Sequence, residues 1–152
     1  MMPLIQALHG MAATAWVGGI FFAYLALRPA ANDTLEPPLR LRLWCAVFGR
    51  FFPWVWLMIG LLLVTGYTEL FVRFGGLGEL ALYLQLMHGI GLLMVALFGY
   101  LYFGLYRRLQ LAVSSGDIPT AAIVMARMRP VIVTNLGLGM LEVVLGIAGP
   151  AL

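Results

Sequence analysis

This sequence predicts an all-α integral membrane protein, a bundle of four transmembrane helices. Three observations carry that expectation. The 152 residues are 63% hydrophobic and 10% charged, whereas about a quarter of the residues in soluble domains are charged. Four apolar runs are each long enough to cross a bilayer. The arginines are distributed unevenly between the segments that connect those runs.

The runs cover residues 4–27, 51–71, 80–106 and 131–150. Each crossing takes about 20 residues, so four crossings leave no length in this chain for a soluble catalytic domain. The connection 28–50 carries Arg28, Arg40, Arg42 and Arg50, and the connection 107–130 carries Arg107, Arg108, Arg127 and Arg129. Between the second and third runs stands Arg73 alone. Because basic residues stay in the cytoplasm, both Arg-rich connections are expected there and both termini on the non-cytoplasmic side. The net charge of +3 is therefore read as topological; with no lysine and dispersed arginines, a nucleic-acid partner is not expected. The single Cys45 excludes an intrachain disulfide.

The first run has no basic residue before it and Arg28 after it, so it reads as a retained span and not a signal peptide. Arg28-Pro29 is expected to end it, with a short amphipathic helix at 39–48 along the membrane surface. Gly75-Gly76-Leu77-Gly78 is expected to form the outer turn, and residues 119–128 a short helix after the break at Ser114-Ser115-Gly116-Asp117.

An ionisable side chain in hydrocarbon costs several kcal/mol unless it faces protein or water and finds a partner. His9, Glu69, His88 and Glu142 therefore need an account. At about 1.5 Å per residue, His9 and His88 both lie roughly 10 Å below the outer ends of their spans, Glu142 roughly 12 Å below and Glu69 shallower. All four fall in one half of the membrane. Asn135, Gly139, Glu142, Gly146 and Gly149 recur at helical spacing as one small and polar stripe. Met58, Leu62, Thr65 and Glu69 follow a similar spacing, and Gly10, Thr14 and Gly18 form a ladder suited to close helix contact or to a homodimer.

Two imidazoles at common depth on facing helices match the axial ligation of haem b. In that reading His9 and His88 bind the iron, and Gly10, Gly89 and Gly91 leave room for the macrocycle. Arg73 meets a propionate, Trp16 and Glu142 stand behind the ligands or handle protons, and Glu69 is a weaker member. The expected activity is electron transfer with quinone or a periplasmic partner, a possible haem-dependent oxidoreductase with no catalytic residue assigned. The alternative is copper, to which His9, His88 and Met11 or Met87 would be ligands. A third reading is a non-redox structural or assembly subunit, in which each His is a helix-to-helix hydrogen-bond donor and Glu142 a protonated, hydrogen-bonded acid.

Leu8-His9 with Trp16-Val17-Gly18-Gly19, Arg28-Pro29, the Thr65-Gly66 pair and Asn135-Leu136-Gly137-Leu138-Gly139 together resemble the copper-resistance-D-like (CopD) membrane family. They are also similar to its four-helix relatives of the protoporphyrinogen oxidase HemJ type. The resemblance implies a bacterial inner-membrane bundle with His9 as a functional ligand, and haem b in the HemJ relatives. Those enzymes pair this His with a functional Lys on the third helix. This chain has no Lys, and His88 stands near that position. The departure argues against protoporphyrinogen oxidase activity and for ligation by two histidines.

Overall fold

The computed structural model describes residues 1–76, 78 and 80–151. Four long helices, α1 (Met2–Thr34), α2 (Pro37–Arg73), α3 (Leu82–Ser114) and α4 (Ile118–Ala148), are each long and apolar enough to cross a membrane. No β-strand occurs among the described residues. The chain is thus an all-helical, multi-pass membrane protein in contact with the lipid bilayer.

The helices run past the apolar segments that predict them. At 33 residues α1 is about 50 Å long, against a hydrocarbon core of about 30 Å. The 39–48 segment, expected to lie separately on the membrane surface, is the first part of α2. Its buried Leu41, Trp44 and Phe48 continue the stripe of Phe52 and Val55 without a break in register. Residues 119–128 likewise belong to α4, where Ala121, Val124 and Met128 lead into Asn135 and Gly139. Arg28-Pro29 does not stop α1 either: the helix widens into a π segment over Ala23–Leu27 and resumes through Arg28–Thr34. A proline lacks the N–H that an α-turn needs, and the wider turn is one way for a helix to pass it.

The turns follow local chemistry. Leu35 and Glu36 are extended, and Pro37-Pro38 opens α2; the residue before a proline is held out of the helical region, while a proline at the first helical position costs nothing. After Arg73, Gly75 adopts φ +73°, and the Gly76 N–H donates to the Leu70 carbonyl. Leu77 of the expected outer turn lies outside the described residues. Gly116, at φ +75°, reverses the chain before Asp117, whose Oδ1 accepts from the Thr120 N–H to cap α4.

Helix α1 packs along α2 and against α4, and α3 packs along α4; α2 meets α3 mainly beyond Tyr100. The core is lopsided. Its buried members begin at Ala12, Ile59 and Met94 and run toward the arginine-bearing ends. Phe98 sits at the centre, edge-on to Trp16, Phe52 and Trp56 at 6.2, 5.2 and 5.1 Å between centroids. Phe48 stacks on Phe52 at 4.9 Å, and Leu109, Ala121 and Met128 are fully buried. At the other end, no residue of α1 before Ala12 is buried, nor any of α3 before Met94. That loosely packed end carries both histidines.

Candidate functional site

The best-defined polar contact at the histidine end joins α1 to α2. His9 Nδ1 lies 2.8 Å from Thr65 Oγ1, and Thr65 Oγ1 donates to the Leu61 carbonyl at 2.6 Å. A threonine hydroxyl has one proton to give. With that proton on Leu61, the shorter of the two contacts, the imidazole nitrogen is the donor and neutral His9 is the Nδ1–H tautomer. Its Nε2 then carries a free lone pair. This is the arrangement by which proteins orient histidine ligands, one nitrogen tied to a hydrogen-bond acceptor and the other open.

Gly66 completes the seat. A Cβ there would stand 3.3 Å from His9 Cε1, so the ring lies flush against the α2 backbone. Glu69, one turn beyond Thr65, is within Coulombic reach of His9, and its buried Oε1 has no hydrogen-bond partner among the described residues.

His88 occupies a different side of α2. Its ring is edge-on to Tyr67 with centroids 5.5 Å apart, and positions 65 and 67 differ by about 200° around a helix. Both histidines thus pack on the same turn of α2 without sharing a face. Glu142 reaches from α4 toward α3, with Oε1 3.9 Å from the place a Gly91 Cβ would take and without a hydrogen-bond partner among the described residues. Deeper on the same stripe, Asn135 is buried and donates a long 3.4 Å bond to the Met94 carbonyl. Gly139 brings α4 close to α1, where an added Cβ would come within 2.6 Å of Val17 Cγ2.

The remaining candidates divide. Gly91 faces the interior beside Glu142, whereas Gly10 and Gly89 are exposed and an added Cβ would meet nothing. Each follows its histidine by one residue, hence by about 100° of rotation, which turns it outward. Thr14 and Gly18 are exposed as well, so the small-residue ladder of α1 makes no contact inside the bundle. Trp16 belongs to the aromatic core against Phe98. Arg73 is exposed over the Phe74 ring, beside a shallow opening lined by Met2, Pro3 and Gln6 at the histidine end. Met11 is 65% exposed toward lipid, and Met87 rests its methyl near Gly146. Thr65 and Tyr67 were not expected as histidine partners. For Thr65 the available signal was its place on the stripe with Glu69; for Tyr67 there was none.

Among the described residues, no three His, Cys, Asp or Glu side chains converge as a ready metal cluster. What the end offers is one oriented imidazole with an open nitrogen, a second imidazole across α2, and two buried carboxylate oxygens without partners.

No curated protein and no solved structure matches this chain. The family model described as copper resistance protein D matches residues 45–149, which takes in most of α2 and all of α3 and α4 and leaves α1, with His9, outside the match. That match spans well over half of the sequence, and the chain belongs to the copper resistance protein D family.

Proposed function

We propose that this chain handles copper within the membrane, taking the ion at the histidine end with Nε2 of His9 as a ligand. The hydrogen bond between His9 and Thr65 carries the reading: with the threonine proton on Leu61, Nδ1 is the protonated nitrogen and Nε2 keeps its lone pair. Soft Cu(I) accepts imidazole ligands, and the family's description points to the same metal. With Met11 65% exposed, His88 is the candidate second ligand in this reading, which requires its ring to leave Tyr67 and swing round α2 toward His9, and the unpartnered oxygens of Glu69 and Glu142 would offset the ion's charge. So sparse a ligand set suits passing an ion on more than storing it. In this reading the histidine end faces the non-cytoplasmic side of a bacterial inner membrane; the arginine asymmetry supports that orientation.

Purified full-length chain, titrated with Cu(I) against a competing chelator, is expected to hold copper that falls to background in His9→Ala. Wild-type copper no higher than that of His9→Ala would sink the reading.

A second reading is haem b, favoured by the thin packing around the histidines: a macrocycle needs interhelical space that an ion does not. His9 fits an axial ligand by its free Nε2, with the ring seated on Gly66, and Arg73 is the cation at that end for a propionate. Haem would supply one-electron chemistry, with quinone or a periplasmic protein as partner. Ligation by His88 as well requires its ring to leave Tyr67. A reduced-minus-oxidised absorption spectrum of protein from haem-replete cells, taken on the preparation assayed for copper, separates the two. A b-type spectrum lost in His9→Ala selects haem; neither group present selects an assembly role.

A further inference from the structure

The arginine-bearing end holds a cavity of about 240 Å³ between α1, α2 and α4. Three helical stripes line it. Tyr24, Arg28 and Asn32 recur every four residues on α1; Arg40, Trp44 and Phe48 come from α2, and Met125, Arg129 and Ile132 from α4. Three arginines thus line one cavity, and no lining residue is acidic. Arg28 is held over the Tyr24 ring, 5.1 Å from its centroid. Arg28 and Arg129 lie next to the ends of the apolar runs 4–27 and 131–150, where hydrocarbon gives way to headgroups. Below them the walls are Ala23, Phe48 and Ile132. The cavity is cationic at its rim and apolar below, at the depth where a lipid changes from phosphate to chain.

We propose that this cavity is a binding site for one anionic phospholipid, with its phosphate among Arg28, Arg40 and Arg129 and an acyl chain against Phe48 and Ile132. The apolar walls favour a lipid over a free anion, since inorganic phosphate makes no use of them. A basic pocket between membrane helices that selects anionic headgroups follows from charge complementarity at the interface.

The test uses full-length protein, stripped of lipid in detergent and titrated with phosphatidylglycerol, phosphatidylcholine or inorganic phosphate. Native mass spectrometry and thermal unfolding are the readouts. Phosphatidylglycerol is expected to be retained and to raise the melting temperature, with phosphatidylcholine and phosphate doing neither. Removing guanidinium groups with Arg28→Gln and Arg129→Gln should weaken retention by about fivefold each, while Arg107→Gln with Arg108→Gln, away from the cavity, leaves it unchanged. Ala126→Leu narrows the cavity and keeps every arginine, so it should weaken retention while the helical circular dichroism is unaltered; this variant decides the matter if an arginine variant fails to fold. Equal retention of phosphatidylcholine, stabilisation by phosphate alone, an equal loss in the Arg107/Arg108 variant, or full retention by Ala126→Leu would each overturn the proposal.

Discussion

His9 and Thr65 are 56 positions apart in sequence and 2.8 Å apart at the α1–α2 interface. The bond between them does two things: it spans two membrane helices, and it sets which imidazole nitrogen is free. Thr65→Val keeps the shape and removes the acceptor. Metal affinity at His9 is expected to fall about 10- to 100-fold, with little change in helix content, and Thr65→Ser is expected to restore it. Metal titration of the three proteins in parallel is the check; equal affinities would mean that the tautomer is set by something else.

Two glycine substitutions separate the site from its surroundings. Gly66→Ala places a methyl 3.3 Å from His9 Cε1 and should tilt the ring, lowering metal occupancy. Gly10→Ala, next to His9 but facing open space, should leave occupancy unchanged.

Gly139→Ala tests the close approach of α4 to α1. The added carbon would lie 2.6 Å from Val17 Cγ2 and 3.3 Å from Met94 Cε, so Val17 must leave its rotamer or α4 must draw back from α1. A loss of about 1–3 kcal/mol is expected from overpacking, read as a shifted denaturation midpoint in detergent. Val17→Ala in the same chain should recover part of it.

Asp117 supplies a pH signature outside the membrane. The Thr120 hydroxyl, and after it the Thr120 backbone N–H, hold the Asp117 carboxyl below the ordinary aspartate range. A folded-state pKa below the unfolded one means that the unfolded chain binds more protons in that window. The cap's contribution is therefore complete above the ordinary aspartate range and disappears as pH falls through the depressed value. Hydrogen exchange at the 115–120 turn should accelerate across that acid step in the wild type relative to neighbouring amides. In Asp117→Asn the step should be missing.

Much of this architecture was legible because apolar length and helical period are local properties. The inward stripe of Asn135, Gly139 and Glu142 needed nothing but a spacing of three and four, and the structure places Asn135 and Gly139 in buried positions. Helix ends were harder to read. The apolar run begins only after Arg50, yet α2 starts at Pro37 and continues through Arg40, Arg42 and Arg50 because Leu41, Trp44 and Phe48 keep the same face apolar. The ladder of Gly10, Thr14 and Gly18 was ambiguous for a different reason: lipid tails are as apolar as a protein interior, so small residues do not reveal which of the two they face. The pairing of His9 with Thr65 depends on how α1 is rotated against α2, and no periodicity within either helix records that rotation.

The lopsided core bears on the order in which the protein is built. Where few side chains are buried, local opening costs little of the global stability. The aromatic half around Phe98 can hold the four helices in place while the ends bearing His9 and His88 part and close again. On the proposed function, the ion would be loaded after the bundle has assembled in the bilayer, and exchanged there without dismantling it.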